Sequence, residues 1–124
     1  MKKSLLSIIE LGGYPNLAPI YKRYNYDVEV VYSMRKALGK LKKLKPEVVV
    51  AEFNYQSDFR DRTSSLESLI AIAQRNPDMK LIVFFEQEYA HQFEKLKARY
   101  DFFATFPYPV TEEQVEKTLI KLGK

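Results

Sequence analysis

Two glutamates follow apolar runs of the sequence, and their carboxylates are the groups best placed to do chemistry. Glu10 follows a run that begins at Leu5, and Glu52 follows Val48-Val49-Val50-Ala51. Carboxylate oxygens at the ends of neighbouring strands are what a weak divalent-cation site requires. The alternative is that each side chain only solvates the end of a strand. We favour that alternative for each residue in isolation, and we predict neither a bound metal nor another cofactor.

The residue types that are missing exclude several classes of enzyme. The chain has 124 residues, no cysteine and one histidine, His91. Disulfides, zinc-thiolate sites and thiol catalysis are therefore excluded, and a His-rich metal site cannot form. Gly12-Gly13 lacks the G-x-G-x-x-G spacing of a dinucleotide-binding loop. We predict that the chain is not an enzyme.

The positive charge is concentrated in one segment. The net charge is +4 and the pI is near 9.2, and six basic residues lie close together: Arg35, Lys36, Lys40, Lys42, Lys43 and Lys45. A solvated helix face is the favoured interpretation. The alternative is nucleic-acid binding by a basic helix over residues 34–45, for which no base-reading or stacking motif is present.

Nothing in the sequence predicts a membrane association. No apolar run approaches the ~20 residues that cross a bilayer. The basic start, Met1 to Glu10, has too short an apolar part and no small-residue cleavage site for a signal peptide. We therefore expect a cytoplasmic protein.

Strand-like and helical patterns alternate along the chain. Strands are predicted over residues 5–11, 27–32, 48–51, 81–85 and 102–106, and helices over 17–24, 34–44, 66–73, 86–100 and 112–122. Ser64 to Glu67 and Thr111 to Gln114 fit capping boxes at two helix starts. Such alternation predicts one α/β domain, residues 1–124, with a parallel sheet between two helical layers.

A flavodoxin-like strand order, 2-1-3-4-5, is expected for five such units. In open parallel sheets, ligands bind outside the carboxyl ends of the strands where the strand order reverses. That point lies between the first and third strands, which end near Glu10 and Glu52. A small-ligand protein using these two residues and the polar segment Asn54 to Thr63 is therefore one alternative.

Four motifs give the chain a resemblance to bacterial response-regulator receiver domains. Residues 45–52 (KPEVVVAE) resemble the third strand of that family, which leads to its phosphoacceptor aspartate. Residues 76–85 (NPDMKLIVFF) are similar to the approach to its fourth strand. Residues 101–108 (DFFATFPY) resemble the stretch that ends in its lysine-proline-phenylalanine, and residues 111–113 (TEE) resemble the start of its last helix. The resemblance spans essentially the whole chain.

The sequence departs from the family at each residue that handles phosphate. The acceptor position is Glu52, and Glu10 is all that remains of the acidic pair that holds magnesium. The Ser/Thr position falls on Phe84 or Phe85, and the lysine position falls on Phe106. Phosphoryl transfer depends on positioned cations. We therefore predict that aspartyl phosphorylation is lost.

Without phosphorylation, the function that the resemblance still implies is binding through an interaction surface. Receivers commonly meet partners through their fourth helix, fifth strand and fifth helix, with an aromatic on the fifth strand. Three residues here are the candidates: Phe102, Phe103 and Tyr108. The leading hypothesis is a pseudo-receiver that binds a protein partner, or a second copy of itself, independently of phosphorylation.

Overall fold

Five parallel strands form the centre of the molecule. The computed structural model describes residues 3–53 and 66–123. In chain order the elements are β1 Lys3–Ile8, α1 Ala18–Arg23, β2 Tyr26–Val31, α2 Met34–Leu41, β3 Val48–Phe53, α3 Leu66–Gln74, β4 Lys80–Phe85, a 3-10 turn Gln87–Tyr89, α4 Ala90–Lys97, β5 Ala104–Pro107 and α5 Glu112–Leu122. The strands are ordered β2-β1-β3-β4-β5, as the sequence predicts.

Alternation along the strands divides the core into two layers. In β3, Val49, Ala51 and Phe53 face the layer that contains α2, α3 and α4. Val48 and Val50 face the layer that contains α1 and α5. Successive strand side chains point to opposite faces of a sheet. Both faces of β3 are therefore covered, and all six of its residues are buried.

Strand pairing fixes which residues meet at the carboxyl edge of the sheet. Ile8 lies opposite Val31 at the ends of β1 and β2. Glu52 lies opposite Phe84, and Phe84 lies opposite Phe106. The residues that leave β1, β3, β4 and β5 are thus brought to one edge.

Several predicted boundaries are wrong by a few residues. β1 ends at Ile8 rather than Leu11, because the chain turns there toward the end of β3. β5 begins at Ala104 rather than Phe102, and the helix predicted over 86–100 divides into the 3-10 turn and α4. The first helix begins at Ala18 rather than residue 17, with Leu17 as its N-cap, and Asn16 Oδ1 accepts from the Ala18 amide at 3.2 Å.

The two predicted capping boxes have different outcomes. Thr111 and Gln114 form the reciprocal box at the start of α5, with bonds of 3.2 Å and 3.0 Å. The Ser64 box and the segment Asn54 to Thr63 lie outside the described residues. Within the described ranges, none of the helices combines the length and apolar character that crossing a membrane requires.

Candidate functional site

The Glu52 side chain lies inside the fold. Glu52 lies on the same face of β3 as Val48 and Val50, because every second residue of a strand points the same way. Its side chain therefore points toward the layer of α1 and α5. Only 2% of the residue is exposed. This corrects the interpretation of Glu52 as a solvating group at an open lip. A buried carboxylate is unfavourable unless its oxygens find hydrogen-bond donors.

Four donors converge on the Glu52 carboxylate. Oε1 accepts from the Leu11 amide at 2.9 Å. Oε2 accepts from the Glu10 amide at 3.2 Å, from the Gly12 amide at 3.3 Å and from the Tyr14 hydroxyl at 2.7 Å. Two carboxylate oxygens offer about four lone-pair positions. Oε2 accepts three of these bonds and Oε1 accepts one, so both oxygens of the buried group are hydrogen-bonded.

The glycine pair shapes the loop that supplies these amides. Gly12 has φ of +73° and Gly13 has φ of +84°, a region that other L-residues enter only with strain. The chain turns sharply there, and the amides of Glu10, Leu11 and Gly12 all reach one carboxylate. Such concave runs of backbone amides are anion-binding nests. Here the anion is the protein's own side chain.

Tyr14 adds an aromatic contact to this anion site. Its ring meets Phe84 edge-on with centroids 5.0 Å apart, and it stacks on Tyr108 at 6.0 Å. Burial, first, and then the hydrogen bond to Glu52 raise the pKa of the Tyr14 hydroxyl far above its ordinary value. Tyr14 therefore stays protonated and acts as a donor.

Tyr108 completes the aromatic contacts from the end of β5. Its carbonyl accepts from the Gln87 side chain, and its hydroxyl is buried without a hydrogen-bond partner among the described residues. Burial, and then the nearby charges of Glu52 and Glu86, raise its pKa. The group of Glu52, Tyr14, Phe84 and Tyr108 is hereafter the Glu52 cluster.

The Glu52 carboxylate is held by donors of the chain itself, one of which is the Tyr14 hydroxyl. A cation at Oε2 would compete with the amides of Glu10 and Gly12. In the described part of the chain, no group of three or more His, Cys, Asp or Glu residues could hold a metal ion. The cluster can hold the loop after β1 in place.

The structure joins some of the predicted site residues and separates others. Glu10 meets Glu52 through its backbone amide. Phe84 is fully buried in the layer of α1 and α5, whereas Phe85 faces the opposite layer and packs on Phe93 at 4.6 Å. Phe106 packs on Phe84 at 6.1 Å. From the end of β5, it is Tyr108 that contacts Tyr14.

The three candidate interface aromatics differ in exposure. Phe103 is 38% exposed. Phe102 is half-buried and packs on Phe93, with ring centroids 5.5 Å apart. Tyr108 is half-buried in the Glu52 cluster. Phe103 is therefore the member of the three whose side chain is most available to a partner.

Sequence reasoning missed Tyr14 and the three amides. The available signal was the Gly12-Gly13 pair directly after β1, because two glycines permit the turn that aims amides inward. Tyr14 follows that pair at the carboxyl edge of the sheet, where Glu52 is the last residue but one of β3. The position of Tyr14 over Glu52 depends on the loop geometry, which the spacing alone does not give.

Comparison with known proteins identifies the fold and no closer relationship. No protein-family model and no curated protein matches the sequence. A response regulator receiver domain protein from Clostridium thermocellum matches the fold with a TM-score of 0.70 and 15% identity, over 96% of this chain and 92% of that chain. A response regulator from Thermotoga maritima matches with a TM-score of 0.70 and 14% identity, over 98% of both chains.

A third match in fold is to a protein that is not named as a response regulator. The pilus assembly protein CpaE from Caulobacter crescentus has a TM-score of 0.66 and 15% identity, over 98% of this chain and 93% of that chain. The resemblance to receiver domains, inferred from the motifs, is therefore confirmed in the fold. Identities this low establish the fold alone.

Proposed function

We propose that this chain is a pseudo-receiver, a protein-interaction module that acts in signalling or regulation without being phosphorylated. The supporting observation is the Glu52 carboxylate, at the position where receivers carry the acceptor aspartate. It is 2% exposed and is already bonded to three amides and one hydroxyl. A phosphoryl donor needs an open carboxylate with an in-line approach, and even a 1 Å misplacement can cost about a hundredfold in rate.

The surroundings of Glu52 support the same proposal. Receiver chemistry needs a cation and a hydroxyl beside the acceptor. The positions that the resemblance assigns to these groups carry phenylalanines here, and Phe84 and Phe106 pack together with ring centroids 6.1 Å apart. Replacing a cation by an aromatic ring removes the electrostatic stabilisation of the transferring group. On this basis we also propose that the chain is not an enzyme. From its receiver-like fold we propose that it acts in the cytoplasm.

Labelling with a small phosphodonor tests the proposal. The chain is incubated with acetyl phosphate and magnesium, beside a phosphorylatable receiver domain as positive control, and its intact mass is measured. We expect no mass gain and no shift in melting temperature with beryllofluoride and magnesium. Stoichiometric labelling on a carboxylate would overturn the proposal.

The interaction part of the proposal needs a separate measurement. The tagged chain is used to capture proteins from its native cells, with and without phosphatase treatment of the chain. We expect a stoichiometric protein partner, or a second copy of the chain, to be retained equally in both conditions. Loss of that partner on phosphatase treatment would contradict phosphorylation-independent binding.

A further inference from the structure

A cavity of about 440 Å³ lies at the amino edge of the sheet, at the opposite end of the strands from Glu52. Three of the side chains that line it are buried: Ile70 on α3, and Met79 and Leu81 where the chain enters β4. The segment 99–103, which joins α4 to β5, lines it as well. Ligand cavities in proteins commonly measure about 300–1,000 Å³. The volume therefore suits a small organic molecule.

Aromatic side chains give this cavity surfaces on which a ring can pack. Tyr100 and Phe102 are half-buried and Phe103 is 38% exposed, and all three line the cavity. The Tyr100 amide donates to the Leu96 carbonyl at 2.9 Å, and the Phe103 amide donates to the Leu81 carbonyl at 2.8 Å. The backbone that carries these rings is thus fixed to α4 and β4. Preorganisation of this kind lowers the entropy lost when a ligand binds.

The cavity also carries more positive than negative charge. Lys80 and Arg99 line it, and both are exposed. Neither forms an ion pair within residues 3–53 and 66–123, whereas Lys40 and Lys97 do. Asp101 is the one acidic side chain in the described lining. A cavity with two unpaired cations and one carboxylate attracts anions.

The guanidinium of Arg99 is positioned by the neighbouring ring. Its Cζ atom lies 5.4 Å from the centre of the Tyr100 ring, which is within the range of a cation–π contact. An arginine that rests on an aromatic face keeps the N–H donors around its planar group available. Those donors match the two oxygens of a carboxylate and form paired, charge-assisted hydrogen bonds with it. Arg99 is therefore suited to bind a carboxylate.

We propose that this cavity, hereafter the Arg99 cavity, binds a small aromatic carboxylate. The ring of the ligand packs among Tyr100, Phe102 and Phe103, and its carboxylate is bound by Arg99 and Lys80. A site of this size encloses one ring system, whereas a protein partner typically covers about 800 Å² of surface. The Arg99 cavity goes beyond the proposed function, which concerns protein partners, and does not depend on it.

Naphthoate and naphthamide form a matched pair of probes. The two molecules have nearly the same shape, and only naphthoate is an anion at neutral pH. Calorimetric titration of the intact chain should show saturable binding of naphthoate. Naphthamide should bind at least about tenfold more weakly, because it lacks the charge-assisted hydrogen bonds. In NMR spectra of the isotope-labelled chain, naphthoate should move the signals of Lys80, Arg99 and Phe103 and leave that of Leu11 in place.

Charge variants separate ligand binding from a structural role. Arg99→Gln should weaken naphthoate about tenfold and leave naphthamide unchanged. Asp101→Asn removes the repelling carboxylate and should strengthen naphthoate severalfold, a gain that a damaged fold would not produce. Arg75→Gln is the matched control, because Arg75 is exposed and lines a neighbouring cavity instead. All three residues are exposed, so the melting temperatures should stay close to that of the wild type.

Several results would overturn the Arg99 cavity: naphthoate does not bind saturably, the two probes bind equally, Arg99→Gln leaves the affinity for naphthoate unchanged, or the NMR changes lie only in other parts of the chain. A short peptide of glutamate and phenylalanine that binds more tightly than naphthoate and displaces it would assign the cavity to a protein partner instead. Labelling by acetyl phosphate tests the proposed function separately, and its outcome does not affect this site.

Discussion

A carboxylate inside a protein needs hydrogen-bond donors, and Glu52 obtains four of them from its own chain. Its donors are the amides of Glu10, Leu11 and Gly12 and the hydroxyl of Tyr14. Backbone amides serve this purpose well because they are already ordered by the turn at Gly12. Glu52 therefore holds the loop after β1 in place.

The donors of Glu52 make its charge important for stability. In Glu52→Gln, an amide NH2 faces donors that need an acceptor, so we expect a loss of about 3 kcal/mol in the free energy of unfolding. Urea unfolding measures this loss, and amide hydrogen exchange should accelerate at Leu11 and Gly12. Glu47→Gln is the control, because Glu47 forms an exposed pair with Lys3 at 3.9 Å and should change stability by at most about 0.5 kcal/mol. Equal losses in both variants would contradict the role of Glu52.

The buried tyrosines give the stability a dependence on alkaline pH. Burial raises the pKa of Tyr14, Tyr21 and Tyr108 above the ordinary value of 10.0. Below pH 10 these groups are protonated in both states, so their stabilising contribution is fully present. As the pH rises further, the unfolded chain loses these protons first, so the free energy of unfolding falls.

Urea unfolding at a series of alkaline pH values measures this dependence. Above pH 10, the Tyr14→Phe variant should lose less stability per pH unit than the wild type. The variant lacks one of the hydroxyls whose pKa is raised by folding. Tyrosinate absorbance of the folded chain should show fewer ionising groups than that of the unfolded chain. A stability that is constant through this range would show that these hydroxyls ionise equally in both states.

At the scale of elements, caps and alternation were readable from the sequence and boundaries were not. The Thr111 box and the strand β2 were predicted from residue types at fixed offsets. The true ends of β1 and β5 depend on which strand lies beside them. The inward direction of Glu52 was implied by Val48 and Val50, yet its donors come from residues about 40 positions away, which no local pattern specifies.

The cap of α5 allows a simple test at this scale. Thr111→Ala removes the oxygen that accepts from the Gln114 amide at 3.2 Å, and should cost about 1 kcal/mol of stability. Thr111→Ser retains an oxygen in the same place and should cost much less. Thermal or urea unfolding compares the two variants with the wild type. A serine variant as unstable as the alanine variant would show that the methyl group, and not the cap, matters.

At the scale of the molecule, the order β2-β1-β3-β4-β5 was expected because it is the flavodoxin-like order of chains with five alternating units. This order places the ends of β1 and β3 together, so a crevice at Glu10 and Glu52 was predictable. Its filling was not, because Tyr14 and Tyr108 come from two loops whose paths depend on the packed fold. The fold and the location of the site could thus be predicted from the sequence. That the site is closed, meaning that Glu52 is buried and bonded to the loop after β1, required the structure.

The most direct test of that closed state observes the three amides while a phosphoryl analogue is offered. Beryllofluoride and magnesium are titrated into the isotope-labelled chain, and the NMR signals of Glu10, Leu11 and Gly12 are followed. If Glu52 already occupies the anion site, these signals stay at their positions throughout the titration. A saturable movement of all three signals would show that the site opens to an external anion. That result would contradict the occupation of the anion site by Glu52.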